Sequence, residues 1–129
     1  YDVVSGFPTW PYVGRRLVVA SRSLPPTRDA PPGGVEVTPE APAALLKRLR
    51  REGVRKAYLD GGPLITAYLE AGLVDELTLT RLPILLGDGV PLFGRMRRSV
   101  RLRHAATRTF ASGLVQSRYD VACREGPTR

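Results

Sequence analysis

The chain has 129 residues, the length of one ordinary domain. Hydrophobic residues make up 43% and charged residues 25%, a globular composition whose apolar runs are far too short for a membrane-spanning helix. One cysteine, Cys123, and one histidine, His104, exclude an internal disulfide, a multi-cysteine zinc site and a histidine-rich metal centre, while a net charge of +8 suits an anionic partner, either a phosphorylated small molecule or nucleic acid.

Residues 1–8 read as the last turn of a helix, stopped by Gly6 and Pro8. The chain opens on Tyr1 rather than methionine, so an N-terminal piece is expected in front of it. A loop with Trp10, Pro11 and Tyr12 follows. Residues 16–21 form a short apolar, β-branched run and predict a buried strand. The stretch 22–34 carries Pro25, Pro26, Pro31, Pro32, Gly33 and Gly34 and reads as a surface loop. Val35, Glu36 and Val37 give a very short strand. A helix is expected from Thr38 or Glu40 to about Glu52, with Pro39 and Pro42 in its first turn, where a missing N–H costs little. Leu45, Leu46 and Leu49 form its apolar stripe, and Gly53 ends it.

Residues 54–59 predict another strand, and Asp60-Gly61-Gly62 a tight turn. A second helix is expected over 64–71, with Pro63 at its first position and Gly72 as its cap. Residues 76–84 start with the alternation of a strand, 86–91 are a glycine-rich loop, and 92–98 are irregular or a short helical turn. Residues 100–110 and 114–122 alternate around Ala111-Ser112-Gly113, which predicts a β-hairpin. This order implies one α/β domain over residues 1–123 and a frayed tail over 124–129. The early strands should be parallel with right-handed crossovers, and the closing hairpin should be an antiparallel edge.

Three segments bear on chemistry. In Tyr58-Leu59-Asp60-Gly61-Gly62-Pro63-Leu64-Ile65 a strand runs through two glycines into a helix. Glycines allow close approach of backbone, and a helix N-terminus offers N–H groups and partial positive charge to a phosphate. Taken alone, the pattern is weak evidence for a ligand and more often a plain βα turn. Ser21-Arg22-Ser23 follows the first strand, where ligands of open α/β sheets bind; its guanidinium and hydroxyls suit a phosphate monoester, although taken alone the segment is more often a polar loop start. Residues 82–93 leave a strand, pass Gly87 and Gly89, and return through Pro91 and Phe93, as a cleft wall or a cover for the core would.

The order of Tyr1-Asp2-Val3, residues 14–23, Leu59-Asp60-Gly61-Gly62, Asp75-Glu76-Leu77 and residues 83–93 resembles the dihydrofolate reductase-like superfamily. The nearer resemblance is to the riboflavin-biosynthesis reductase C-terminal domain group, including its small stand-alone members, and it spans residues 1–122. It implies a mainly parallel sheet flanked by helices, closed by a C-terminal antiparallel hairpin. It also implies NADPH, with Ser21, Arg22 and Ser23 at the adenosine 2′-phosphate. Gly61 and Gly62, with the helix start at Pro63, Leu64 and Ile65, would then lie under the pyrophosphate. The implied chemistry is hydride transfer to a small heterocycle, a pterin or a ribosylaminopyrimidine phosphate. Members of the group begin with a strand and a Ser-Leu-Asp-Gly-type segment, and carry a Gly-Arg-Lys-Thr-type segment just before the position of Tyr1. About 40 to 50 residues of this kind are therefore expected in front. The alternative is a non-catalytic nucleotide- or anion-binding protein with the same fold.

Other residues have plainer roles. Asp60 orients the diglycine turn, touches a ribose, or is simply a charged turn residue. Arg81 is a candidate substrate contact at the end of its strand. Asp75 and Glu76 read as a solvated connector, His104 as an edge residue, Trp10 and Tyr12 as packing, and Cys123 as incidental. The cluster Arg95, Arg97, Arg98, Arg101 and Arg103 reads as a solvated face. Nucleic acid is not expected there, because aromatic residues are not interleaved with it. No residue is assigned to catalysis or to a metal. The expected setting is a homodimer in a bacterial cytoplasm, since edge hairpins tend to be covered by a partner and nothing in the given residues supports secretion. Of 20 basic residues only Lys47 and Lys56 are lysine, and asparagine is absent, which fits a thermophile or a GC-rich genome.

Overall fold

The computed structural model describes residues 12–25 and 34–122. The expected helical turn at 1–8, Trp10, most of the proline-rich stretch, Cys123 and the tail lie outside the described residues. The described residues form two compact units, one up to Leu49 and one from Arg50 onward.

In the first unit, strands β1 (Leu17–Ala20) and β2 (Val35–Thr38) pair in parallel, with Leu17 opposite Val35 and Ala20 opposite Thr38. The ladder continues one bond further, from the Ser21 N–H to the Thr38 carbonyl at 2.9 Å. Helix α1 follows (Pro42–Arg51). It begins later than the expected Thr38 or Glu40 for two reasons. Thr38 is held in the ladder, and Ala41 precedes a proline, whose ring disfavours helical backbone on the residue before it. Leu45 and Leu49, four residues apart on one face of α1, are buried, as is Val37 of β2.

A polar network ties these elements together. The Glu36 carboxylate, on buried β2, accepts from Arg16 Nη2 at 2.9 Å and from Arg48 Nη2 at 2.5 Å. Arg48 Nε also donates to Glu40 at 2.8 Å, and Glu40 accepts the Thr38 hydroxyl at 2.9 Å. Charge-assisted bonds to a desolvated carboxylate thus join the sheet to the helix beside its buried leucines.

In the second unit, residues 54–59 correct the expected strand: they belong to neither sheet, and Tyr58 is 93% exposed. An apolar run becomes a strand only when a neighbouring strand takes up its backbone donors and acceptors. Neither ladder reaches this one. Helix α2 (Gly62–Glu70) buries Thr66, Tyr68 and Leu69. It ends in a Schellman arrangement at Gly72, whose φ is 68°, with Leu73 N–H on the Tyr68 carbonyl and Gly72 N–H on that of Leu69.

Strand β3 (Glu76–Arg81), β4 (Leu102–Thr109) and β5 (Val115–Val121) form an antiparallel sheet in the order β3-β5-β4. β3 stops at Arg81 rather than Ile84, because Pro83 has no N–H to give a ladder. The predicted hairpin is present, closed by Phe110 N–H on the Leu114 carbonyl at 3.0 Å, with a bulge between His104 and Ala106. One face carries Arg118 near Glu76, Arg103 on Asp120, and Gln116 on Thr80, a polar surface for water. The expected α/β class and C-terminal antiparallel hairpin are observed; parallel pairing among the described residues is that of β1 with β2. No helix among the described residues is long and apolar enough to cross a membrane.

Burial separates two otherwise similar substitutions. Leu49→Ala is expected to lower unfolding stability in urea by about 2–5 kcal/mol, the range for leucine truncation in a core. Leu85→Ala, at a side chain 98% exposed, should stay within about 0.5 kcal/mol.

Candidate diglycine and serine-turn site

The turn between residue 59 and α2 is built from two glycines with different constraints. Gly61 has φ at 94°, a conformation that side-chain-bearing residues rarely adopt, and a Cβ there would meet nothing within 4 Å. Gly62 has ordinary backbone angles but no room: its Cβ would stand 2.9 Å from the Leu92 carbonyl oxygen. Gly61 therefore faces open space, while Gly62 is covered by the chain's own returning loop.

Gly61 is the N-cap of α2, and no side chain caps the helix start. The first intrahelical bond runs from Ile65 N–H to the Gly61 carbonyl at 2.9 Å. The N–H groups of Gly62 and Leu64 precede that bond, and Pro63 has none. They carry the positive end of the helix dipole. Asp60 Oδ1 accepts the Gly61 N–H at 2.8 Å, so this carboxylate orients the turn and takes one of its donors. Of the roles open to Asp60, the structure shows that of a turn-holding residue.

The loop after β3 returns along α2, a relation the sequence did not reveal. The Thr66 hydroxyl donates to the Gly62 carbonyl at 2.8 Å and accepts the Gly94 N–H at 2.9 Å. Arg97 N–H donates to the Glu70 carboxylate at 2.8 Å, and Arg98 Nη2 to the Glu70 carbonyl at 2.5 Å. The partners that join loop to helix lie 27 or 28 residues apart, and no local pattern announces them. By contrast, the outer part of the loop is exposed: Leu82, Ile84, Leu85, Leu86, Val90 and Leu92 all present apolar surface. Arg81, also exposed, is the last residue of β3, on the same strand face as Leu77 and Leu79 by alternation.

In the first unit, Ser21 leaves β1 and organises the next turn. Its Oγ accepts Ser23 N–H at 3.3 Å and Leu24 N–H at 3.2 Å and lies 3.2 Å from Ser23 Oγ. Arg22 and Ser23 are exposed, and Ser21 is half-buried. Ser21 therefore shapes the turn that presents Arg22 and Ser23 outward.

The remaining candidates have local partners. His104 Nε2 lies 2.7 Å from Thr107 Oγ1, and its ring meets Tyr119 edge-on, as an exposed edge residue. Arg103 pairs with Asp120, and Arg108 lies over the Phe110 ring at 4.6 Å. The Asp75 carbonyl accepts Val121 N–H and Glu76 pairs with Arg118, so the two acidic residues serve the sheet.

Comparison with known proteins places these features in a family. Residues 16–116 match the RibD C-terminal domain, and the chain belongs to that family. Two uncharacterized Bacillus subtilis proteins are similar to it in sequence. YyaP is 40% identical over 75 residues, 57% of this chain and 40% of YyaP. YwjB is 28% identical over 113 residues, 87% of this chain and 63% of YwjB. The chain thus spans less than two thirds of the length of either relative. Among solved structures, it is similar to a Shewanella sp. PV-4 protein provisionally assigned to riboflavin biosynthesis. That match has a TM-score of 0.84 and 30% identity, over 94% of this chain and 68% of that one. It is also similar to a pyrimidine reductase-like protein from Corynebacterium diphtheriae, with a TM-score of 0.57 and 31% identity, over 68% of this chain and 38% of that one. The fold is accordingly the dihydrofolate reductase-like fold of the RibD group.

The two glycines should respond differently to the same small change. Gly62→Ala is expected to cost about 1–3 kcal/mol in chemical denaturation, because its methyl group meets backbone that must move. Gly61→Ala should cost about 1–2 kcal/mol through its dihedral angle alone. In amide exchange, only Gly62→Ala should loosen residues 91–94.

Proposed function

We propose that this RibD-family chain is an NADPH-dependent reductase that transfers a hydride to a small heterocycle of the pterin or ribosylaminopyrimidine phosphate class. The observation that carries the proposal is Gly61. It opens helix α2 with φ at 94° and clear space where a side chain would stand. A turn of that form lets a pyrophosphate approach the backbone at a helix N-terminus. Family membership and the pyrimidine reductase-like neighbour support the reductase chemistry.

In this reading the chain binds and orients, and bound NADPH supplies the hydride. Gly62 and Leu64 offer N–H groups to the pyrophosphate, while Pro63 stiffens the first turn without competing for it. Ile65 closes the first helical bond onto Gly61 and so fixes the turn. In the first unit, exposed Arg22 takes the 2′-phosphate with a guanidinium fork. Ser23 contributes beside it, and Ser21 holds the turn through its bonds to Ser23 and Leu24. Arg81 meets the substrate. The exposed apolar side chains between Leu82 and Leu92 support a homodimer, because a second copy would take them out of water. A bacterial cytoplasm is the setting that the Bacillus relatives and the chemistry support.

Titration with NADPH and NADH, followed by nicotinamide fluorescence, tests the proposal. The protein should bind NADPH more tightly than NADH. Arg22→Ala should weaken NADPH about ten- to a hundredfold, as loss of a charge-assisted phosphate contact does, and leave NADH nearly unchanged. Gly61→Val should abolish binding of both cofactors while circular dichroism stays native. Absence of binding to either cofactor by the unmodified protein rejects the proposal. Binding without turnover of any heterocycle would leave the non-catalytic nucleotide-binding alternative.

A further inference from the structure

Residues 91–98 follow α2 and meet it at intervals of about one turn. Leu92 lies against Gly62, Gly94 against Thr66, and Arg97 and Arg98 bond to Glu70. Gly62, Thr66 and Glu70 are four residues apart, so they share one face of the helix.

Thr66 is the buried member of the three. A threonine hydroxyl has one proton to give and lone pairs to receive. Here it gives that proton to the Gly62 carbonyl and receives the Gly94 N–H. Back-bonding to the carbonyl four residues earlier is a common habit of helical threonine. The bond from Gly94 is different: it comes from 28 residues away and joins the loop to the carbonyl of the diglycine turn through one oxygen.

The turn needs such a support. Two adjacent glycines lose more backbone freedom on ordering than any other pair. The start of α2 has no side-chain cap of its own. Asp60 fixes the Gly61 N–H from the front, but the Gly62 carbonyl is held from behind, by Thr66.

We propose that Thr66 is a positioning residue, which latches the Pro91–Leu92–Phe93–Gly94 segment onto the first turn of α2 and thereby holds Gly61 and Gly62 ready for a dinucleotide pyrophosphate. The positioning role rests on the reading that this turn takes the pyrophosphate; the latch does not.

Thr66→Val removes both hydrogen bonds at nearly constant volume, and Thr66→Ser restores the hydroxyl. Thr66→Val should weaken NADPH about five- to tenfold, the usual worth of one or two such bonds. Thr66→Ser should stay within about twofold of the unmodified protein by the same measure. Amide exchange at Gly94 should accelerate in Thr66→Val and return to normal in Thr66→Ser. The Arg97 N–H, held by Glu70, should keep its protection in both. If Thr66→Val fails to fold, Thr66→Ala removes the same bonds and takes its place.

Unchanged exchange at Gly94 in Thr66→Val would overturn the latch. Faster exchange with unchanged NADPH affinity would overturn the positioning role. Loss of affinity that serine does not rescue would likewise overturn it, since the hydroxyl would not be the cause. If the unmodified protein binds no NADPH, the reductase reading and the positioning role fall together. Exchange at Gly94 then still decides the latch.

Discussion

A single close approach governs the second unit: the backbone of Leu92 passes so near Gly62 that a methyl group would stand 2.9 Å from its carbonyl oxygen. Two stretches of main chain meet there with nothing between them. The contact sets where the loop after β3 must return, and so brings Gly94 to Thr66 and Arg97 to Glu70. It also divides the labour of the two glycines. Gly61 is required by its dihedral angle and leaves space in front of the helix. Gly62 is required by proximity, and the backbone that approaches it is the protein's own.

The first unit solves a different problem with charge. Among its described residues the buried apolar side chains are Val37, Leu45 and Leu49, and the parallel pair β1 and β2 is only four residues long. Glu36 makes up for this by gathering Arg16 from just before β1 and Arg48 from α1 onto one desolvated carboxylate. Removing either arginine would leave that carboxylate short of a partner. That is why such pairs cost more to break than they contribute when formed. The serine turn depends on this frame. The Ser21 N–H extends the ladder onto Thr38, and the Thr38 hydroxyl bonds Glu40, which Arg48 holds. The turn that presents Arg22 is thus anchored to the ionic network through two hydrogen bonds and a strand end.

What could be read from the sequence was what is determined locally. The hairpin follows from alternation around Ala111-Ser112-Gly113, and α2 from Pro63 near its start and Gly72 at its cap. The late start of α1 was also legible, since a residue before proline is pushed out of helical backbone, but placing both Pro39 and Pro42 in the first turn drew the boundary too early. Residues 54–59 show the opposite case. Their composition is that of a strand, yet being a strand requires a partner, and composition carries no information about partners. The same limit hid the returning loop. Thr66, Gly94 and Glu70 carry no motif, and only the folded chain places them together. The diglycine and Ser21-Arg22-Ser23 were visible because backbone chemistry and charge are written in residue types, but the internal duties of Ser21 and Gly62 were not.

The electrostatics at the diglycine turn set a condition on any anionic ligand. Asp60 takes the Gly61 N–H and puts a carboxylate beside the helix start, while Pro63 offers no donor. What remains is the N–H of Gly62, that of Leu64 and the dipole of a nine-residue helix. The carboxylate opposes a pyrophosphate there and also fixes the geometry that would receive it. Such a turn favours ligands that pair a close backbone contact with charge met elsewhere, over those bound by charge at the turn alone. A dinucleotide spreads its contacts over several groups, and a chain with 20 basic residues against 12 acidic ones has cations to supply them. On the proposed reading, discrimination at this turn comes from the geometry that Asp60 and Thr66 impose on two glycines.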